Sequence, residues 1–166
     1  MLLDYEITKP AHIRGYALHR MVTELVGEAA ALFSDEGATL LIRTTADIDA
    51  SRREVKTLAN GQLTAFELRA CVSKKRKGKH IYLHSGDWQS RHAWLKKKAQ
   101  DNGFEILTLH SSSKMTQISD NSRSFKVDQT DFTGILKVND ASLFKSALAN
   151  GIGSTARTFG FGMLVI

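Results

Sequence analysis

Along this chain the spacing of apolar residues switches repeatedly between every second position and every third or fourth, and that succession limits the folds open to it. Leu3, Tyr5 and Ile7 share one side of a strand, which Lys9-Pro10 breaks. From about residue 12 to 26 the spacing turns helical, with Ile13, Ala17, Met21 and Leu25 four apart, Leu18 and Val22 beside them, and Gly27 loosening the end. Residues 38–44 form a second clear strand. Asp47 is placed to cap a short helix that carries Val55 and Leu58 and ends near Asn60-Gly61. Residues 63–73 alternate again and read as a strand. The basic turn 74–78 has Gly78 where a hairpin loop wants it, and residues 79–84 return as a strand. Ser85 or Asp87 caps a helix over 88–102, with Trp88, His92 or Ala93, Leu95 and Ala99 on its inner face. Residues 104–110 read as a strand, 111–122 as a polar loop, and 125–138 as a long strand bent at Gly134. Asn139-Asp140 caps a last helix carrying Leu143, Phe144, Ala147 and Leu148.

The order strand–helix–(strand)–strand–helix–strand thus occurs twice. It predicts an α+β chain of two tandem ferredoxin-like, or RRM-like, βαββαβ domains with antiparallel sheets, spanning 1–75 and 76–166. Only residues 29–33 are available for the second strand of the first unit, so that strand is expected to be very short or absent. No internal sequence repeat accompanies the duplication.

Net charge is +6, with a pI near 9.5, and the positive charge is clustered. Between Arg69 and Lys98 lie Lys74, Lys75, Arg76, Lys77, Lys79, Arg91, Lys96 and Lys97, against the single acid Asp87. Such a cluster is the electrostatic footprint of a polyanion binder, nucleic acid above all. The single cysteine, Cys71, excludes an internal disulfide and a Cys-rich zinc site, and its alternating surroundings make it a small buried hydrophobe. Acidic residues occupy the place of a signal peptide's basic region, and no stretch has the length of a membrane span. A soluble cytoplasmic protein is expected.

The C-terminal stretch sets Gly151, Gly153, Gly160 and Gly162 around Arg157. Two readings fit it. One is a helix cap and turn with close-packed glycines. The other is a loop whose freed N–H groups and arginine grip a phosphate backbone. On the first helix Tyr16 and His19 are three apart and share a face, with His12 one turn earlier and Arg14 and Arg20 flanking. Histidine exchanges protons near neutral pH, and a tyrosine hydroxyl can orient or donate to a reacting oxygen. Beside a polyanion site such a pair suits transfer of RNA's own 2′-hydroxyl onto the adjacent phosphate, a reaction that requires no metal. No metal site stands out among the six histidines. His80 and His84 lie about 13 Å apart on a strand, too far to share an ion. The glycine stretch lacks the ending of a P-loop, and no cofactor fingerprint or nucleophile elbow occurs.

These residues resemble a known family. Tyr16-Ala-Leu-His19-Arg-Met is similar to the catalytic helix of CRISPR repeat-processing endoribonucleases of the type I-E kind. Phe132-Thr-Gly-Ile-Leu-Lys-Val-Asn-Asp140, Gly151-Ile-Gly153 and Phe159-Gly-Phe-Gly162-Met-Leu resemble that family's closing strand, helix and glycine-rich loop. Phe66-Glu-Leu-Arg69-Ala and the later Ala93-Trp-Leu95 match its middle strand and helix, so the likeness spans nearly the whole chain in order. The resemblance implies binding of a hairpin in the CRISPR repeat and metal-independent cleavage at its 3′ base, leaving a 2′,3′-cyclic phosphate. By position His19 is the general base and Tyr16 its companion. The resemblance also implies that the turn carrying Lys74, Lys75, Arg76, Lys77 and Lys79 enters the RNA groove, that the loop of Gly151, Gly153, Arg157, Gly160 and Gly162 grips the RNA backbone, and that Arg14, Arg20 and Arg91 add RNA contacts. The resemblance further implies a product that stays bound and a protein that is a subunit of a CRISPR effector complex as well. The chain is shorter than typical members, its glycine loop is one residue longer, and Arg20 stands in for the lysine that some members carry soon after the histidine. The alternative from another class is a non-catalytic RNA-binding subunit with the same fold, in which His19 packs or contacts phosphate.

Overall fold

The computed structural model describes residues 1–120 and 122–166. Strand β1 (Leu3–Thr8), helix α1 (Tyr16–Val26), and strands β2 (Ala31–Asp35), β3 (Thr39–Thr44) and β4 (Ser51–Glu54) build a first antiparallel sheet in the order β2-β3-β1-β4. Helix α1 covers this sheet because Leu18, Val22 and Val26 recur at helical spacing and bury against Tyr5, Phe33, Leu40 and Ile42.

The second unit opens with β5 (Leu63–Ala70), followed by the ribbon β6 (Ser73–Arg76) and β7 (Lys79–Tyr82), then α2 (Trp88–Asp101), β8 (Phe104–Ser119), β9 (Ser124–Val138), α3 (Ala141–Asn150) and β10 (Leu164–Val165). Its sheet runs β10-β5-β9-β8. Both sheets therefore place their strands in the order fourth, first, third, second, the ferredoxin-like plan. Phe66, Leu68, Leu95, Phe104, Phe132, Leu136, Phe144 and Leu148 fill the second core. Each such side chain removed from water contributes about 1.5–3 kcal/mol. Asp87 caps α2 by accepting from the Ser90 N–H at 3.0 Å, and Asp140 caps α3 through Ser142 and Leu143.

Several expectations are corrected. The short helix after Asp47 does not form. Residues 51–54 are instead strand β4, which completes the first sheet, and Asp47 pairs with Arg52 at 2.9 Å. All four β4 residues are exposed and polar, so the strand rests on backbone pairing with β1 and carries no apolar pattern. Segment 63–70, read as the end of the first unit, pairs with β9 in the second sheet, so the change of sheet falls between Glu54 and Leu63 and not after residue 75. The second strand is present as β2, five residues long. The loop expected over 111–122 is strand as far as Ser119, while Asn121 lies outside the described residues. This outer part of β8 pairs with β9 and is polar but for Met115 and Ile118, and so lacks apolar alternation. Trp88 is 57% exposed and does not belong to the inner face of α2. A bulge in β8 between Ile106 and Thr108 lies opposite Leu136 and Ile135, next to Gly134, where a side chain's Cβ would lie 2.0 Å from the Thr108 carbonyl oxygen.

The two sheets are joined by Arg43 of β3, which is buried. It holds Asp4 with two bonds of 2.7 and 2.8 Å and also donates to the carbonyls of Leu148 and Leu164 at 3.1 and 2.7 Å. Among the described residues no helix is long and apolar enough to cross a membrane.

Candidate active site and nucleic-acid interface

Helix α1 begins later than its periodicity implies, because Gly15 takes φ +61° at the N-cap and the preceding turn is pinned from outside. The Lys9 ammonium, fully withdrawn from solvent, donates to the carbonyls of Ile13 and Gly37 and pairs with Asp35 at 3.0 Å. His12 and Arg14 consequently precede the helix and do not extend its Tyr16–His19 face. Both are exposed and line a polar cleft of about 610 Å³ shared with Arg69, Lys114 and Phe159.

Tyr16 and His19 sit one turn apart at the start of α1, each partly exposed, with Arg20 exposed beside them. The Tyr16 ring packs edge-on against Phe159 of the glycine-rich segment, with centroids 5.0 Å apart. Its other neighbour is the Arg123 guanidinium, 5.5 Å from the ring centroid. Arg123 reaches it from the β8–β9 turn, which Asp120 shapes by accepting from the N–H groups of Ser122 and Arg123 at 2.8 and 2.7 Å. Those bonds hold the Asp120 carboxyl below the usual carboxylate range. Phe125, just beyond the turn, stacks edge-on against Phe159 at 5.8 Å. The hairpin tip and the glycine segment thus converge on α1. His19 borders one groove with Arg157 and Thr158.

The glycine segment fits its packing reading. The N–H groups of Gly151, Ile152, Gly160 and Gly162 bond to the carbonyls of Ala147, Gly162, Arg157 and Arg69, so they are not free for phosphate. A Cβ on Gly151 would meet the Gly162 oxygen at 2.6 Å, one on Gly153 the Trp94 ring at 3.1 Å, and one on Gly160 the Phe33 ring at 2.8 Å. Arg157 stitches the segment from inside by donating to the carbonyls of Asn150 and Gly153. Its partial burial pulls its pKa below the ordinary arginine value. These bonds turn most of its donors away from a ligand.

The basic turn forms the expected hairpin. Lys77 and Gly78 both take positive φ, 50° and 76°, at the turn between β6 and β7, the conformation of a two-residue hairpin loop. Lys74, Lys75, Arg76, Lys77 and Lys79 are all exposed. At its base the Ser73 hydroxyl lies 3.0 Å from His80 Nδ1 and 3.3 Å from the Thr155 hydroxyl, which ties the ribbon to the glycine segment. Arg91 leaves the exposed set. It is 1% exposed, pairs with buried Asp128 at 2.6 Å, and bonds to Thr130 and to the carbonyls of His84 and Asp87. It holds the segment that follows β7 against the second sheet.

Arg123 escaped sequence reasoning because its stretch is polar throughout and shows no face. That Arg123 lands on α1 is a matter of tertiary structure. Among the described residues no group of three His, Cys, Asp or Glu side chains is placed to hold a metal ion. His92, bonded to Ser111 at 2.8 Å, has its pKa held down by burial and then by Lys96 and His110.

Comparison with known proteins follows this geometry. The family model for CRISPR associated proteins matches residues 9–166. No curated protein sequence matches the chain. Among solved structures, the CRISPR endoribonuclease Cse3 bound to 19 nt RNA aligns with TM-score 0.83 at 22% identity, covering 99% of this chain and 96% of that one. The CRISPR-associated protein Cas6e from Escherichia coli str. K-12 aligns with TM-score 0.77 at 24% identity, covering 99% and 98%. A chain of a CRISPR RNA-guided surveillance complex aligns with TM-score 0.72 at 18% identity, covering 98% and 97%. At these identities the likeness establishes a shared fold.

Proposed function

The chain belongs to the CRISPR associated protein family, and from that premise we propose that it is an endoribonuclease that binds the CRISPR repeat hairpin in precursor CRISPR RNA and cuts at the hairpin's 3′ base. The observation that carries this reading is the convergence of the glycine segment and the β8–β9 tip on the first turn of α1. Tyr16 stands there between Phe159 and Arg123, His19 borders a groove with Arg157 and Thr158, and the basic ribbon is tied to the glycine segment through Ser73 and Thr155.

In the reaction His19 takes the proton of the 2′-hydroxyl, and the 2′-oxygen attacks the adjacent phosphorus. The bond from phosphorus to the 5′-oxygen breaks, that oxygen takes up a proton, and the products are a 2′,3′-cyclic phosphate and a 5′-hydroxyl. Tyr16 orients or donates to a reacting oxygen, and Arg123 and Arg20 supply positive charge as the phosphate gains negative charge. No step calls on a metal. Lys74, Lys75, Arg76, Lys77 and Lys79 hold the stem through its phosphates. The presence of a chain of this fold in a CRISPR RNA-guided surveillance complex supports a product that stays bound, with the protein as a subunit of such a complex.

The test is incubation with the repeat hairpin in EDTA and analysis of the product's end groups. A cyclic-phosphate product is expected, and His19→Ala is expected to slow the cut by about 10²–10⁴-fold with binding largely kept. Intact RNA with wild-type protein, or undiminished cutting by His19→Ala, overturns the reading.

A further inference from the structure

We propose that the groove beside His19 receives the nucleobase of the nucleotide immediately 3′ of the scissile phosphate. This rests on the endoribonuclease reading and assigns a subsite within it. The groove, about 290 Å³, opens between the second half of α1, the segment entering β2 and the turn at Arg157–Phe159. Val22, Val26 and Ala29 give it an apolar floor, and His19, Thr23 and Arg157 form its rim. Gly27, which ends α1 with φ +61°, has no atom within 4 Å of the place a Cβ would take, so the mouth stays open. A planar heterocycle suits that combination, with its faces against apolar side chains and its edge toward polar groups. Arg157 has committed its donors to the carbonyls of Asn150 and Gly153, so it offers charge and a flat guanidinium plane more than new hydrogen bonds.

The placement along α1 decides which nucleotide enters. Tyr16 belongs to a cluster with Tyr82 at the end of the basic ribbon and with Cys71 before it. Passing along the helix from the ribbon, one meets Tyr16, then His19, then the groove. RNA on the ribbon side of His19 is the paired stem, whose bases are occupied. On the other side is the nucleotide that carries the departing 5′-oxygen, and its base is unpaired. The groove is where that base can leave water without breaking a pair.

The experiment uses a repeat hairpin with 2′-deoxyribose on the nucleotide 5′ of the cut, which removes the nucleophile, and with 2-aminopurine as the next base. Binding to wild-type protein should lower the 2-aminopurine fluorescence. An abasic residue at that position should weaken binding about tenfold, within the range that one stacked base supplies. Ala29→Phe, which fills the floor, should leave the fluorescence unchanged and bind intact and abasic RNA alike. Thr23→Phe does the same from an exposed position on α1 should the first variant fail to fold. Unchanged fluorescence on wild-type binding, with equal affinity for intact and abasic RNA, overturns the subsite. If the all-ribose hairpin is cut normally in that case, the subsite alone falls. If the hairpin is not bound at all, the endoribonuclease reading falls with it.

Discussion

The guanidinium of Arg123 and the ring of Tyr16 face each other at 5.5 Å although they belong to different sheet units. A cation at this distance is held by the ring's electron-rich face and brings positive charge to the start of α1 from the β8–β9 tip. Removing it should cost about 0.5–2 kcal/mol of transition-state stabilisation. Arg123→Ala is therefore expected to slow cleavage at saturating RNA by about 2–30-fold, and Arg123→Lys by less. Single-turnover kinetics checks this, and an unchanged rate would remove Arg123 from the site.

Tyr16 has two separable jobs, an edge-on contact with Phe159 and a hydroxyl. Tyr16→Phe should keep the contact and the melting temperature while the cut slows by up to about 10²–10⁴-fold, the range for losing a proton-transfer partner. Tyr16→Leu should in addition lose the aromatic pair, about 0.5–1.5 kcal/mol, and melt a few degrees lower. Equal melting temperatures for the two variants would contradict the packing role.

Arg157 is expected to behave as a structural residue. Arg157→Ala removes the donors that hold the carbonyls of Asn150 and Gly153, at a cost of about 1.5–3 kcal/mol. Thermal melting should show the loss, while the salt dependence of RNA binding should hardly change. A large drop in salt dependence with unchanged melting would make Arg157 a phosphate contact instead.

The exposed ribbon and the buried Arg91 should separate cleanly. Neutralising Lys74, Lys75 and Lys77 together should reduce the slope of log affinity against log salt by about two to three. Arg91→Ala leaves Asp128 unpaired in the interior, a loss of about 3–5 kcal/mol, and its readout is stability. If the lysine variants keep the wild-type slope, the ribbon does not touch phosphate.

Burial pushes the Cys71 thiol up to about 11, despite the opposing bond with Tyr82. Because its folded pKa lies above its unfolded value, the stability it contributes is complete below about pH 9 and is lost as pH rises through about 11. A thiol-specific disulfide reagent at pH 8 should leave native protein unlabelled and label it on unfolding. Fast stoichiometric labelling of native protein would refute this.

The second unit was legible in sequence nearly strand by strand, because its helices and core strands bury one face each and so carry a period. Phe66, Leu68, Phe132 and Leu136 recur two or four apart. What escaped was structure held by backbone alone. Ser51–Glu54 and the outer half of β8 expose polar side chains, and their pairing leaves no mark on composition. The site followed the same division. Tyr16 and His19 could be read as a pair on one helix, and the lysines of the ribbon as a patch. Whether an arginine faces solvent is decided by carbonyls and carboxylates distant in sequence, and so Arg91 and Arg157 were expected on the surface while Arg123 went unnoticed.

Arg43 gives this arrangement a mechanical consequence. One side chain from the first sheet holds the carbonyls of Leu148 and Leu164, which bracket the glycine segment from both ends. The helix bearing His19 and the segment bearing Phe159 are thereby kept in register in the free protein. For the proposed reaction the protein side of the geometry is then set before RNA arrives, and less entropy is lost from the protein on binding.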